Sequence, residues 1–195
     1  MSLTVDTLSG DALESGLDAV ARLRIAVFRD YPYLYDGTLD YERTYLAEFS
    51  AASGAIIVIA RDGNETVGAA TGCPLAAEHA EFSAPLKQRG FDVDRIFYCA
   101  ESMLLPQYRG QGIGNRFFDL REAQGRRLGA SHAAFCAVLR PGDHPLRPAG
   151  YVPLDGFWRK RGYAPVEGAV AQFTWKDVDQ PQDTVKDLQF WMRPL

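Results

Sequence analysis

Residues Leu104-Leu105-Pro106-Gln107-Tyr108-Arg109-Gly110-Gln111-Gly112-Ile113-Gly114-Asn115 place three glycines at alternate positions between an apolar stretch and an amphipathic one. Glycine lets the backbone pass close to a ligand with its N–H groups turned inward, and the start of a helix adds partial positive charge. The segment therefore has the makings of an anion cradle, although a tight strand-to-helix turn also calls for glycine. Its neighbours exclude two phosphate loops. The triphosphatase loop requires Lys followed by Ser or Thr after the last glycine, where this chain has Asn115-Arg116; the dinucleotide fingerprint requires a third glycine at the place of Phe117. Other chemical groups lie upstream. Glu101 interrupts the apolar run 97–105, and the segment Asp30–Glu42 sets Tyr31, Tyr33, Tyr35 and Tyr41 among Asp30, Asp36, Asp40 and Glu42. Aromatic faces with carboxylates suit a cationic amine; packing of an aromatic loop on a sheet accounts for them equally.

These groups need elements to position them, and periodicity supplies the elements. Residues 3–8 alternate like a short strand, and 11–28 carry Leu13, Leu17, Val20, Leu23 and Val27 at helical spacing. A second helix is expected over 39–52. Strands over 55–61 and 66–71 flank the hairpin signal Asp62-Gly63-Asn64, and a short irregular helix follows over 79–89. The run 96–105 is strand-like. From Gly114 a helix is predicted to about Leu128, with Ile113, Phe117, Leu120 and Leu128 on its apolar face and Gly129 as its stop. Residues 133–139 read as a strand buried on both faces, 157–162 as a short helix, and 170–175 and 188–192 as two last strands. This order predicts an α/β (α+β) three-layer domain.

Length and composition bound the class. A chain of 195 residues, 47% hydrophobic and 24% charged, suits one globular domain over 1–195. With 25 acidic against 21 basic residues the net charge is -4, which repels polyanions, so no nucleic-acid partner is expected. The longest apolar runs, 55–60 and 133–139, fall far short of the roughly 20 residues that span a bilayer, and no signal peptide is present. No membrane association is expected. Cys73, Cys99 and Cys136 sit apart in apolar surroundings, as reduced buried thiols would in the cytoplasm. Three histidines without close partners provide no metal site.

The glycine segment resembles the pyrophosphate loop of the GNAT N-acetyltransferase superfamily: Arg109, Gly112 and Gly114 fit its Arg/Gln-x-x-Gly-x-Gly/Ala pattern. Leu104-x-Pro106-x-Tyr108-Arg109-Gly110 is similar to the family's lead-in, and Phe157-Trp158-Arg159-Lys160-Arg161-Gly162-Tyr163 to its late aromatic helix, so the likeness covers a cofactor-binding core of about 96–163. It implies a mixed, mostly antiparallel central sheet with helices on both faces and splayed fourth and fifth strands. It also implies transfer of an acetyl group from acetyl-CoA, without a metal, to a primary amine of a small molecule. A catalytically inactive acyl-CoA-binding module and a protein or peptide N-acetyltransferase are the alternatives, and a homodimer stays open. Met103 and Leu104 would hold the pantetheine by their backbones, and Arg109, Gly110, Gln111, Gly112, Ile113 and Gly114 the pyrophosphate.

Acyl transfer needs positioning, deprotonation of the amine and stabilisation of the oxygen that gains charge. An N–H near Leu104 is the implied oxyanion donor. Glu101 is the candidate base, because burial would raise its pKa toward neutrality; its other reading is a buried partner for Arg24 or Arg29. Trp158 stands where many members of the family have a tyrosine acid, leaving Tyr98, Tyr151, Tyr163 or water for that role. Cys136 has no histidine at a spacing that marks a covalent mechanism. The proline-rich connection 140–156 contributes His144, which joins Tyr33, Tyr35 and Asp36 as the expected acceptor-site residues.

Overall fold

The computed structural model describes residues 3–195, so residues 1 and 2 of the expected domain lie outside the described residues. Twelve elements follow in order: β1 (Leu3–Ser9), α1 (Glu14–Phe28), α2 (Leu39–Ala51), β2 (Ile56–Asp62), β3 (Glu65–Pro74), α3 (Ala80–Lys87), β4 (Ile96–Leu104), α4 (Ile113–Arg127), β5 (His132–Val138), α5 (Asp155–Lys160), β6 (Ala164–Lys176) and β7 (Asp183–Pro194). The strands form one seven-stranded sheet in the order β1-β2-β3-β4-β5-β7-β6. Every neighbouring pair is antiparallel except β4–β5.

Local chemistry explains most boundaries. Asp62-Gly63-Asn64-Glu65 turns β2 into β3 with Gly63 at φ 60°. The Thr38 hydroxyl accepts from the Tyr41 N–H and caps α2. Gly129, at φ 79°, follows the last turn of α4, which carries Arg126 and Arg127 at the negative end of the helix dipole. Helices α4 and α5 cover one face of the sheet through Ile113, Phe117, Phe118 and Phe157; α1, α2 and α3 cover the other through residues such as Val20, Leu46 and Leu86.

Two expectations are corrected here. β6 and β7 run well beyond 170–175 and 188–192, because β6 is an edge strand whose outer half tolerates Pro165 and Gly168. The buried side of α4 includes Arg121, Glu122 and Gln124, whereas Leu128 is 47% exposed. The sheet-facing side of α4 meets backbone carbonyls as well as apolar groups, so it is not a purely apolar stripe.

Two irregularities shape the middle of the sheet. β4 and β5 pair only over Ile96–Tyr98 and His132–Ala134, then part, leaving a gap beside the rest of β4. On the other side of β4, Thr71 faces Glu101 while Cys73 faces Tyr98, so Cys99 and Ala100 together oppose the single residue Gly72. This bulge breaks the alternation of side chains, and Ala100 and Glu101 consequently line the same cavity.

Candidate active site

The cradle is built where β4 hands over to α4. Pro106–Tyr108 form one tight turn, anchored by the Tyr108 hydroxyl, which donates to Asp62 Oδ2 at 3.1 Å. Gly110 and Gly112 then take φ 77° and 83°, values that side chains disfavour, and a Cβ on either would meet nothing within 4 Å. The backbone is thus held in a glycine conformation beside open space. The first N–H of the helix to find a backbone carbonyl is that of Arg116, on Gly112 at 3.2 Å, so those of Gly110 to Asn115 have no backbone acceptor among the described residues. A pyrophosphate fits such a row of donors at a helix start. The Arg109 guanidinium turns back, its Nε donating to the Leu104 carbonyl at 3.2 Å, and Gln111 donates to the Gln107 carbonyl.

The β4 edge continues the same path. Leu105 N–H donates to Val67 O at 3.0 Å, so by strand alternation Met103 pairs inward with Ala69 while the polar backbone groups of Ser102 and Leu104 face the gap. Of the two residues expected to hold a pantetheine, Leu104 therefore offers its N–H, its carbonyl accepting from Arg109, and Met103 offers neither group; the Met103 side chain is fully buried under α1.

On the opposite face a cavity of about 290 Å³ opens between α1, α2, β6 and the parted strands, reaching Tyr98, Ala100 and Glu101 of β4 and Cys136 of β5. Glu101 forms an ion pair with Arg24, and its carboxylate accepts from the hydroxyls of Tyr45 at 3.3 Å and Thr71 at 3.1 Å. It is no isolated buried acid: it faces the cavity and is also Arg24's partner, so both sequence-level readings of this carboxylate meet in one side chain. Arg24 holds a second carboxylate, Glu42, which is fully buried and accepts from the Tyr35 hydroxyl at 2.7 Å. Burial works against the Arg24 charge, but Tyr45 and Glu42 more than offset it and its pKa is raised.

The expected acceptor-site residues separate. Tyr33, Tyr35 and Asp36 line the cavity. Burial pushes the Tyr33 hydroxyl up to about 12, and burial with the Glu42 contact raises that of Tyr35. Hydrogen bonds from Lys176 and Arg29 lower the pKa of Asp36. His144 does not line the cavity: its ring centroid lies 6.0 Å from that of Tyr31, and its Nδ1 accepts from the Leu146 N–H within the connection.

The candidate acids separate as well. Trp158 packs on Phe135 and Trp191 under α5, and the buried Tyr163 hydroxyl donates to Glu122 on that same face, away from the cavity. Tyr151 packs edge-on against Tyr31. Tyr98 alone of the three tyrosines lines the cavity, where β4 and β5 part, with its pKa raised by burial. Burial also raises the Cys136 thiol well out of the nucleophilic range.

Sequence reasoning passed over three contributors. Trp175 lines the cavity, its Nε1 donating to the Tyr33 carbonyl at 3.0 Å. Arg140 forms a two-pronged pair with buried Asp177 and donates to the carbonyls of Pro32 and Tyr33, clamping the aromatic loop. Arg121, fully buried, donates from Nη1 to the carbonyls of Thr71 and Glu101 and from Nη2 to Ser102 Oγ, bracing the bulge. A charge at a helical position in line with Val20 was the available signal for Arg24; an arginine that binds backbone carbonyls leaves none.

No family profile and no curated protein matches the chain. Solved structures do. A ribosomal-protein-alanine N-acetyltransferase from Brucella melitensis is 14% identical, with a TM-score of 0.63 over 98% of this chain and 99% of that one. A Drosophila melanogaster polyamine N-acetyltransferase that forms N-acetylagmatine is 11% identical, with a TM-score of 0.61 over 100% of both. Salmonella typhimurium yncA, solved with its cofactor acetyl-CoA, is 13% identical, with a TM-score of 0.62 over 100% of this chain and 95% of that one. The chain has the fold of the GNAT acetyltransferases. No helix among the described residues is long and apolar enough to cross a membrane, and no group of three metal-ligating side chains occurs among them.

Proposed function

We propose that the chain is an acyl-CoA-dependent N-acetyltransferase acting on the primary amine of a small molecule. The observation that carries this is the continuity of three features: the unpartnered N–H row at Gly110–Asn115, the outward backbone of Leu104 in the strand gap, and the cavity on the far side of that gap. A pyrophosphate, an extended pantetheine arm and an amine would occupy them in turn. Acetyl-CoA supplies the acetyl group as a thioester. Gly110 to Gly114 bind its phosphates through backbone dipoles, and Leu104 orients its arm and directs an N–H at the carbonyl oxygen that gains charge.

Glu101 receives the proton that the amine gives up as its nitrogen bonds to the acetyl carbon. The carbon–sulfur bond breaks, and the departing sulfur takes a proton from Tyr98 or from water. Arg24 acts through Glu101, holding the carboxylate toward the cavity. Three buried cysteines without disulfide partners support a cytoplasmic setting.

Acetyl-CoA is expected to raise the melting temperature at micromolar concentrations, and thiol release is expected with an amine in the mixture. Absence of any shift would remove the cofactor assignment. Glu101→Gln is expected to slow thiol release at neutral pH by about 100-fold or more while leaving acetyl-CoA affinity in place. Full activity with an unchanged pH profile would remove Glu101 as the proton acceptor.

A further inference from the structure

We infer that the acceptor is a compact primary amine carried on a flat aromatic body without an acidic group. This rests on the acetyltransferase reading above and names the substrate class of that same cavity. Five charged side chains line the cavity, and four are already paired: Arg24 with Glu101 and with Glu42 behind it, and Lys176 with Asp36, which also accepts from Arg29. Among the described residues no lining cation is left to receive a carboxylate or phosphate of the acceptor. Amino acids and acidic peptides are therefore disfavoured.

The remaining charge is Asp183, exposed at the rim and without an ion-pair partner among the described residues. It gives an incoming ammonium a place to arrive. A linear polyamine carries a second ammonium that would need a carboxylate of its own beside Glu101, and the one behind it, Glu42, is fully buried and held by Arg24 and the Tyr35 hydroxyl. An ammonium chain in the interior would lose water without gaining a counter-charge.

Surface chemistry and size agree. Nine of the lining residues are aromatic, among them Tyr33, Tyr45, Tyr98, Phe173 and Trp175, and the volume of about 290 Å³ is at the small end for ligand pockets. The wall is also rigid. Trp175 is bonded to the Tyr33 carbonyl, and Arg140 with Asp177 fixes the backbone of Pro32 and Tyr33 behind it. A planar ring meets such walls in offset or edge-on contact at little ordering cost.

The test uses the full chain with 2-phenylethylamine, spermidine, free phenylalanine and a lysine-bearing peptide, read by thiol release from acetyl-CoA and, separately, by calorimetric binding of each amine without it. The expected result is a kcat/KM for 2-phenylethylamine at least 20-fold above the other three, with saturable binding in the calorimeter. Trp175→Ala should lower its kcat/KM at least tenfold at unchanged acetyl-CoA affinity, and Trp175→Phe should restore most of it. Spermidine, phenylalanine or the peptide matching it, or Trp175→Ala leaving the ratios as they were, would overturn the inference. If acetyl-CoA does not bind, the enzyme reading fails by itself, and the calorimetric ranking still decides whether the cavity selects an aromatic amine.

Discussion

Arg121 is a guanidinium with none of its surface exposed and no carboxylate within ion-pair distance among the described residues. Its charge is spread over the carbonyls of Phe117, Thr71 and Glu101, the Ser102 hydroxyl and the face of Phe118, 4.8 Å away. Two of those acceptors belong to the bulged part of β4, so this one side chain fixes the segment that turns Glu101 toward the cavity. Arg121→Met leaves buried acceptors without donors at about 1–3 kcal/mol each. Urea unfolding is expected to show a loss of about 3 kcal/mol, and turnover to fall more than acetyl-CoA affinity, with partial recovery in Arg121→Lys. Equal losses in turnover and affinity would reduce Arg121 to a stabilising group. Glu78 works in the opposite sense. Burial raises its carboxyl pKa above the ordinary 4.5 although Cys73 Sγ donates to it at 3.1 Å. As pH rises past 4.5 the unfolded chain releases this proton before the folded one does, so Glu78 lowers stability at neutral pH. Glu78→Gln, which keeps an acceptor for Cys73, should melt higher than the parent at pH 7 and lose that advantage at about pH 4. An equal difference at both pH values would contradict this.

At the scale of elements, what could be read in the sequence depended on how local the cause was. The β4–α4 unit was legible because its glycines, its Pro106 turn and the helix stop at Gly129 act within a few residues. The Asp62-Gly63-Asn64 hairpin was legible for the same reason. The full lengths of β6 and β7 were not, since their outer halves carry Pro165, Gly168 and charged residues that are tolerated only because β6 is an edge. The Arg24–Glu101 pair was half legible: its members were nameable as a pair, but the bulge that brings Glu101 to that face appears only in the register with β3. His144 shows the reverse error, since a chemically apt residue in a long connection need not reach the site. The cradle itself yields a sharp expectation. In Gly112→Ala the residue must hold φ near 83° at the start of α4, at about 1–2 kcal/mol, and its methyl group enters the space argued to take phosphate. Acetyl-CoA affinity measured by calorimetry should fall at least tenfold while unfolding shows only that small loss. Unchanged affinity would move the phosphates elsewhere.

For the whole molecule, a net charge of -4 argues against gathering polyanions, yet the proposed cofactor is strongly anionic. The two are compatible because the cradle acts through N–H dipoles over one turn, whereas net charge acts over the Debye length of about 8–10 Å and beyond only weakly. The sheet has a similar division between local and global. Its halves, β1–β4 and β5-β7-β6, share only the pairs from Ile96 to Tyr98 with His132 to Ala134, and α4 packs across both. A pantetheine lying in the gap would supply the missing strand contacts, and its effect on amide exchange should alternate along β4. The amides of Ser102 and Leu104, which face the gap, should slow when acetyl-CoA is added, as should those from Gly110 to Asn115. Met103, already paired with Ala69, should change least. At 100 times Kd the ligand adds about 2.7 kcal/mol, or roughly 5–10 °C in Tm for a chain of this size. Uniform slowing over the whole strand would mean global stabilisation alone, and a Tm rise without slowing at Leu104 would place the arm outside the gap. The alternating pattern separates these cases because it depends on which side of β4 each N–H faces, which overall stability does not alter.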